Sequence, residues 1–171
     1  MSGHKREGVC MHMAGSFFVM GEKDMKCYRC IKRIMVSIPM LLVMIIIYIF
    51  SAGTGEESGS LSLSIAEWVS DTFLHIGISI EPEVLHLPIR KIAHMTEYAI
   101  LAITAMWAFY DLKKRYVIAF LVSVLYAMTD EGHQLFVDGR AGSAVDVLID
   151  SVGVFLGLVL YKVIVMIREK Y

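Results

Sequence analysis

Arg90-Lys91-Ile92-Ala93-His94-Met95-Thr96-Glu97-Tyr98 stands at the head of an apolar run that continues to Tyr110. Two further charged stretches sit in the same kind of place. Thr129-Asp130-Glu131-Gly132-His133-Gln134 closes one apolar segment, and Gly139-Arg140 through Asp146 to Asp150 leads into another. Each lies at the end of a segment apolar enough to cross a membrane, and hydropathy puts all three at one bilayer face. Ionisable groups at membrane depth are costly, so they mark a functional site before anything else is known.

Composition agrees with that frame. The 171 residues are 57% hydrophobic and the mean hydropathy is +0.63, against roughly 45–50% apolar in soluble domains. A helical membrane protein with one small bundle follows, without room for a second large domain. The formal net charge is −1 and no basic stripe occurs, so nucleic acid is not an expected partner. Twelve methionines suit adaptable packing.

Four segments are long enough to span: Ile34–Phe50, Ile92–Tyr110, Tyr116–Phe136 and Ala144–Ile167. Lys23, Lys26, Arg29, Lys32 and Arg33 precede the first. Lys113, Lys114 and Arg115 join the second to the third, and Arg168 and Lys170 follow the fourth. The loop Ser51–Ile89 is acidic instead, with Glu56, Glu57, Glu67, Asp71, Glu81 and Glu83. Basic flanks stay in the cytoplasm, so both termini are expected there and the charged motifs outside. The expected fold is all-α: an integral membrane four-helix bundle with an amphipathic outer-loop helix. Its divisions are a basic cytoplasmic segment 1–33, a transmembrane domain 34–167 and a cytoplasmic tail 168–171.

The beginning of the chain admits other readings. A basic flank, the apolar run and small residues at Ser51, Ala52 and Gly53 also describe a cleaved signal peptide. The first 24 residues lack periodicity, and Met25-Lys26-Cys27-Tyr28-Arg29 reads as an alternative start. Cys27 and Cys30, with Cys10 and His12, make four nominal zinc ligands. Reduced cytoplasmic thiols beside the membrane are the preferred reading.

In the outer loop Leu61, Ile65, Trp68, Val69, Phe73 and Ile76 recur at helical spacing, opposite Ser64, Glu67, Ser70 and Asp71. Such a helix lies flat in the headgroup layer with Trp68 as anchor, or packs over the bundle. Either arrangement puts a lid beside the charged face. Pro88 is expected to open the second span at a first-turn position.

The charges themselves are placed against the helix dipole. Arg90 and Lys91 fall in a first turn, where the dipole is positive, while Asp130 and Glu131 fall near a helix end, where it is negative. Either they pair across the second and third spans, or they bind something of opposite sign. On the second reading Arg90, Lys91 and Arg140 cradle an anionic headgroup. Glu97, Asp150, His94, Asp130, Glu131 and His133 then supply proton-transfer groups or metal ligands. His94 and Glu97 are three apart, and Tyr98 lies one turn beyond His94. Ser143 with Asp146 fits a capping box, which explains that acid without invoking function. Asp150, a turn deeper on one stripe with Asp146, Gly153 and Gly157, has no such explanation. Gly153-x-x-x-Gly157 is a small-residue face for close helix packing.

Arg90-Lys91-x-Ala93-His94-x-x-Glu97-Tyr98-x-x-Leu101, Asp130-Glu131-x-His133-Gln134-x-Phe136-Val137-x-Gly139-Arg140, and Asp146-x-x-x-Asp150-x-x-Gly153-x-x-x-Gly157 together resemble the VanZ-like family of bacterial membrane proteins. Phe50 through Ser58 resembles the segment after that family's first span, and the resemblance runs from Ile34 to Leu160. It implies a bacterial plasma-membrane location, a charged extracytoplasmic face and an association with low-level teicoplanin resistance. It implies no settled reaction.

Three function classes remain at this point. One is an enzyme acting on a phosphate-containing lipid or lipid-linked wall precursor at the outer face. The second is a non-catalytic binder of lipid headgroups using Arg90, Lys91 and Arg140. The third is a structural partner whose charged face only holds four helices together; on any reading that has a site, Asp146, Gln134 and Tyr98 cap or support it. No nucleophile elbow, phosphate-binding glycine loop or zincin motif is present, so the sequence assigns neither reaction, metal nor cofactor.

Overall fold

The computed structural model of the chain describes residues 10–13, 16–19 and 22–170, with side chains from Met25 onward. The described elements are β1 (Cys10–Met13), β2 (Ser16–Val19), α1 (Glu22–Ala52), α2 (Gly55–Leu74), α3 (Pro82–Ala108), α4 (Arg115–Gln134) and α5 (Ala144–Lys170). Chain contacts separate a unit up to Val36 from a unit that begins at Ser37.

In the first unit β1 and β2 pair antiparallel, with Cys10 opposite Val19 and Met13 opposite Ser16. The sequence shows no periodicity over this stretch. Strands of four residues are too short for their alternation to stand out in a sequence. The side chains of Cys10 and His12 lie outside the described residues, while Cys27 and Cys30 are free and exposed.

The second unit is helical throughout, and its helices form for local reasons. α2 opens with a capping box that the sequence reading did not single out. Glu57 N–H donates to Thr54 Oγ1 at 3.2 Å and Thr54 N–H donates to Glu57 Oε2 at 2.9 Å, so both orphan donors are satisfied. α3 starts six residues before Pro88, because Pro82 takes the first-turn position after Glu81. Pro88 therefore lies inside the helix, contrary to expectation. Its missing N–H leaves the Val84 carbonyl without the usual donor, a loss tolerated near a helix start. α4 ends at Gln134, two residues before the expected Phe136, and α5 begins at the expected Ala144.

α3 packs most extensively on α5, and α4 closes against both. The close approach has a visible cause. A Cβ on Gly153 would land on the Met95 backbone, and one on Gly157 on the Ala99 backbone. Register advances in the same sense on both helices, so α3 and α5 run parallel. Tyr98, Leu101, Ala102, Ala105 and Met106 of α3 join Ala119 and Ala127 of α4 and Val154 and Leu158 of α5 in the core. Ile47 of α1 reaches the same core, and Tyr126 Oη donates to the Met44 carbonyl at 2.6 Å.

Two helices, Met25–Ala52 and Ala144–Lys170, are long and apolar enough to cross a membrane. α3 and α4 carry the charged motifs. α2 leans on α3 through its small residues, burying Ser62 and Ala66, while Leu61, Ile65 and Trp68 remain exposed. The two arrangements open for this helix are thus combined: it packs on the bundle and keeps its apolar stripe outward.

Candidate functional site

The N-terminal ends of α3 and α5, the C-terminal end of α4 and the loop after it meet at one end of the helical unit. Together they enclose a cavity of about 270 Å³. Arg90, Lys91 and His94 line it from α3, Glu131 and Gln134 from α4, Arg140 from the loop, and Asp146 and Asp150 from α5. Residues up to 60 positions apart in sequence are brought to one space.

Several of these groups have settled partners. Lys91 Nζ donates to Asp146 Oδ1 at 2.7 Å and forms an ion pair between α3 and α5. Glu131 Oε2 accepts from the Ser143 N–H at 2.9 Å. That N–H is the one a capping box would have given to Asp146, so the expected box does not form. The α4 carboxylate satisfies the start of α5, and Asp146 turns to Lys91 instead. Gln134 Nε2 donates to Asp130 Oδ2 at 3.3 Å. The anticipated pairing of Arg90 with Asp130 or Glu131 is absent among the described residues; both acids bond elsewhere.

Arg140 ties the site to α1. Its Nε donates to the Gly53 carbonyl at 2.9 Å and its Nη2 to the Phe50 carbonyl at 2.8 Å, satisfying carbonyls a helix end leaves orphaned. The same loop docks beside α2, where Gly55 N–H donates to the Asp138 carbonyl at 3.0 Å. Gly139, at φ +72°, takes a left-handed conformation there, and any Cβ on Gly55 would collide with its backbone. Burial draws the Arg140 guanidinium below its ordinary pKa, with Arg90 adding to the effect and Asp130, Glu131 and Glu97 opposing it.

Other groups around the cavity lack partners. Arg140 Nη1, His94 Nδ1 and Asp150 Oδ2 are buried without a hydrogen bond. Glu97 Oε2 stands 3.8 Å from His94 Nδ1, too far for one. Arg90 makes no hydrogen bond or ion pair among the described residues. Asp150 is 1% exposed, so its open oxygen is a buried carboxylate atom facing the cavity. Buried polar atoms are nearly always paired, so three in one place call for an explanation.

Not every candidate residue joins this space. His133 turns to α1, its ring 5.1 Å from that of Tyr48. Tyr98 is fully buried beneath the site, with Asp130 and Asp150 as electrostatic neighbours. Glu97 faces a second, smaller cavity on the α2 side of α3. Among the described residues no three His, Cys, Asp or Glu side chains gather closely enough to hold a metal ion.

The family model described as VanZ/LLP1 matches residues 36–166, which take in α2, α3, α4, the loop of Arg140 and every cavity residue. The chain belongs to the VanZ/LLP1 family. No curated protein and no solved structure matches it. The VanZ/LLP1 match begins at Val36, so the hairpin lies outside it. Each of the ordered motifs Arg90–Leu101, Asp130–Arg140 and Asp146–Gly157 supplies side chains that line the cavity. Sequence reasoning missed the role of Ser143 N–H and the two α1 carbonyls, since backbone groups leave no trace in residue type.

Proposed function

We infer that this VanZ/LLP1 protein is a multi-pass protein of the bacterial plasma membrane, with both termini cytoplasmic. On this reading it binds a phosphate-bearing lipid or lipid-linked wall precursor at its extracytoplasmic charged face and acts on it there. Four spanning helices are supported by the outer surfaces of α3 and α4. Val117, Leu121, Leu125 and Met128 form an exposed apolar stripe on α4, and Ile92, Ile100 and Trp107 are exposed on α3. An apolar outer surface with the ionisable groups turned inward is the pattern hydrocarbon surroundings favour. Cysteines placed at Ser58 and Asp138 should react with an impermeant reagent from outside, and one at Lys113 should not.

The observation that carries the ligand reading is two guanidinium groups lining one cavity, Arg90 without a hydrogen bond or ion pair and Arg140 with a buried, unpartnered Nη1. Guanidinium groups match the oxygens of a phosphate, and two of them around one cavity favour a phosphate headgroup. Asp150, Glu97 and His94 are the groups available to move protons around a bound headgroup. Association with teicoplanin resistance comes with the family. A changed outer-leaflet lipid would alter how an acylated glycopeptide meets the surface.

A non-catalytic headgroup binder is the second reading. The settled bonds of Lys91, Asp130, Glu131 and Asp146 favour it, because these groups are already committed to holding helices. Glu97→Gln and Asp150→Asn decide between the two. Each keeps shape while removing charge, so membrane abundance by blot should persist and protection against teicoplanin or another envelope stress should disappear. Wild-type protection at normal abundance in both variants would remove the catalytic reading.

A further inference from the structure

The second cavity, of about 130 Å³, adjoins the first on the α2 side of α3. Its outer wall is mostly apolar: Phe50 at the end of α1 and Leu61 and Ile65 on α2, all three exposed on the protein surface, with Ser58 and Ser62 beside them. Its inner end is polar and carries Glu97. Arg90, His94 and Arg140 line both cavities, so the two spaces meet at one partition that carries both guanidinium groups. One side of that partition is a polar chamber with a buried, unpartnered carboxylate; the other is a groove open along greasy side chains.

We propose that the groove between α2 and α3 receives the hydrocarbon chain of a phosphate-bearing amphiphile, whose headgroup lies across Arg90 and Arg140 into the larger cavity. The proposal rests on the headgroup reading above and adds where the chain runs. Charge complementarity selects the occupant. A neutral hydrocarbon would leave Arg90 without a hydrogen bond and Arg140 Nη1 without a partner at the groove's inner end, and free phosphate would leave its apolar wall unused. Ligand sites of this form, mostly apolar with a few convergent polar groups, fix an amphiphile's orientation. Glu97 then stands on the hydrocarbon side of the phosphate and Asp150 on the headgroup side, which gives the two carboxylates different positions relative to the atom joining chain to head. The exposed stripe of α2 acquires a purpose as well, since it continues the groove wall into the surrounding acyl chains.

The test is equilibrium binding of radiolabelled dodecyl phosphate to the full chain purified in digitonin, a detergent with a rigid sterol tail. Inorganic phosphate and dodecanol serve as competitors. Dodecyl phosphate should bind at least roughly tenfold more tightly than inorganic phosphate, the gain from burying two or more methylenes. Dodecanol should compete poorly. Ile65→Trp, which fills the groove from an exposed position, should abolish the advantage of the alkyl chain while inorganic phosphate still binds as in wild type; Leu61→Trp provides a second filling variant should the first be recovered in low yield. Arg90→Ala should weaken both phosphate ligands. Equal affinity for dodecyl phosphate and inorganic phosphate would overturn the groove and leave the headgroup site standing, as would indifference of dodecyl phosphate to both tryptophan variants. Competition by dodecanol equal to that by dodecyl phosphate would overturn it too. Binding of neither phosphate ligand would remove the headgroup site and the groove together.

Discussion

Along the α3–α5 pair, two neighbouring stretches are built on opposite terms. At Met95 and Ala99 the helices touch backbone to backbone over Gly153 and Gly157. Toward the start of α3, Arg90, Lys91 and His94 look across a cavity at Asp146 and Asp150. The seam leaves no room for even one added carbon at either glycine. The charged end has one ion pair and several buried polar atoms with no partner. Tight contact there would have been available to small residues, and the chain carries large charged ones instead. The contrast teaches that the two helices are held together at the seam, while the other end keeps buried polar atoms without partners, which the headgroup proposed above would satisfy.

The largest effect should come from filling the seam. Gly153→Leu forces a side chain into the Met95 backbone, so the helices must separate. A loss of about 3 kcal/mol, the upper part of the overpacking range, is expected. Membrane abundance and the melting temperature in detergent would both fall sharply; wild-type values would mean that the seam is not what holds α3 to α5. Next comes Arg140→Met, which strips the charge-assisted bonds from the Phe50 and Gly53 carbonyls. Because Arg140 is half-exposed, the cost should be nearer about 1.5 kcal/mol than the full range for charged hydrogen bonds. Its melting temperature would drop by less than that of Gly153→Leu, while phosphate binding is lost outright. If binding survives unchanged, Arg140 belongs with the structural half of the comparison. The smallest effect belongs to Lys91→Met. The Lys91–Asp146 pair leaves 45% and 35% of its side chains exposed, and such pairs contribute about 0–1 kcal/mol. A melting temperature close to wild type is expected. A drop as large as that of Arg140→Met would make the charged end a clamp rather than an open site.

Much of this arrangement was legible before any coordinates. Ala144 begins α5 where the apolar run begins, and the amphipathic stripe from Leu61 marks a helix in the outer loop, because both are periodic over many residues. The boundary of α3 was not, since two prolines compete for its first turn and Pro82 prevails. The hairpin before α1 is too short to read. Of the candidate site residues, Arg90, Lys91, His94, Glu131, Gln134, Arg140, Asp146 and Asp150 line the cavity, while Glu97 faces the smaller one, Tyr98 is buried beneath, and His133 stands against Tyr48.

By itself the sequence determined the helices, the charged ends and which residue types were available at them. These follow from runs of apolar side chains, caps and spacings, and all act within a few residues of one another. Only the tertiary structure decided who pairs with whom. Glu131 serves the Ser143 N–H, Lys91 takes Asp146 across 55 residues, and Arg140 reaches carbonyls 87 and 90 residues away. The physical reason is that hydrogen bonds and ion pairs depend on separations of a few ångströms between helices. For Lys91 and Asp146 that separation is set by how closely Gly153 and Gly157 let α5 approach α3.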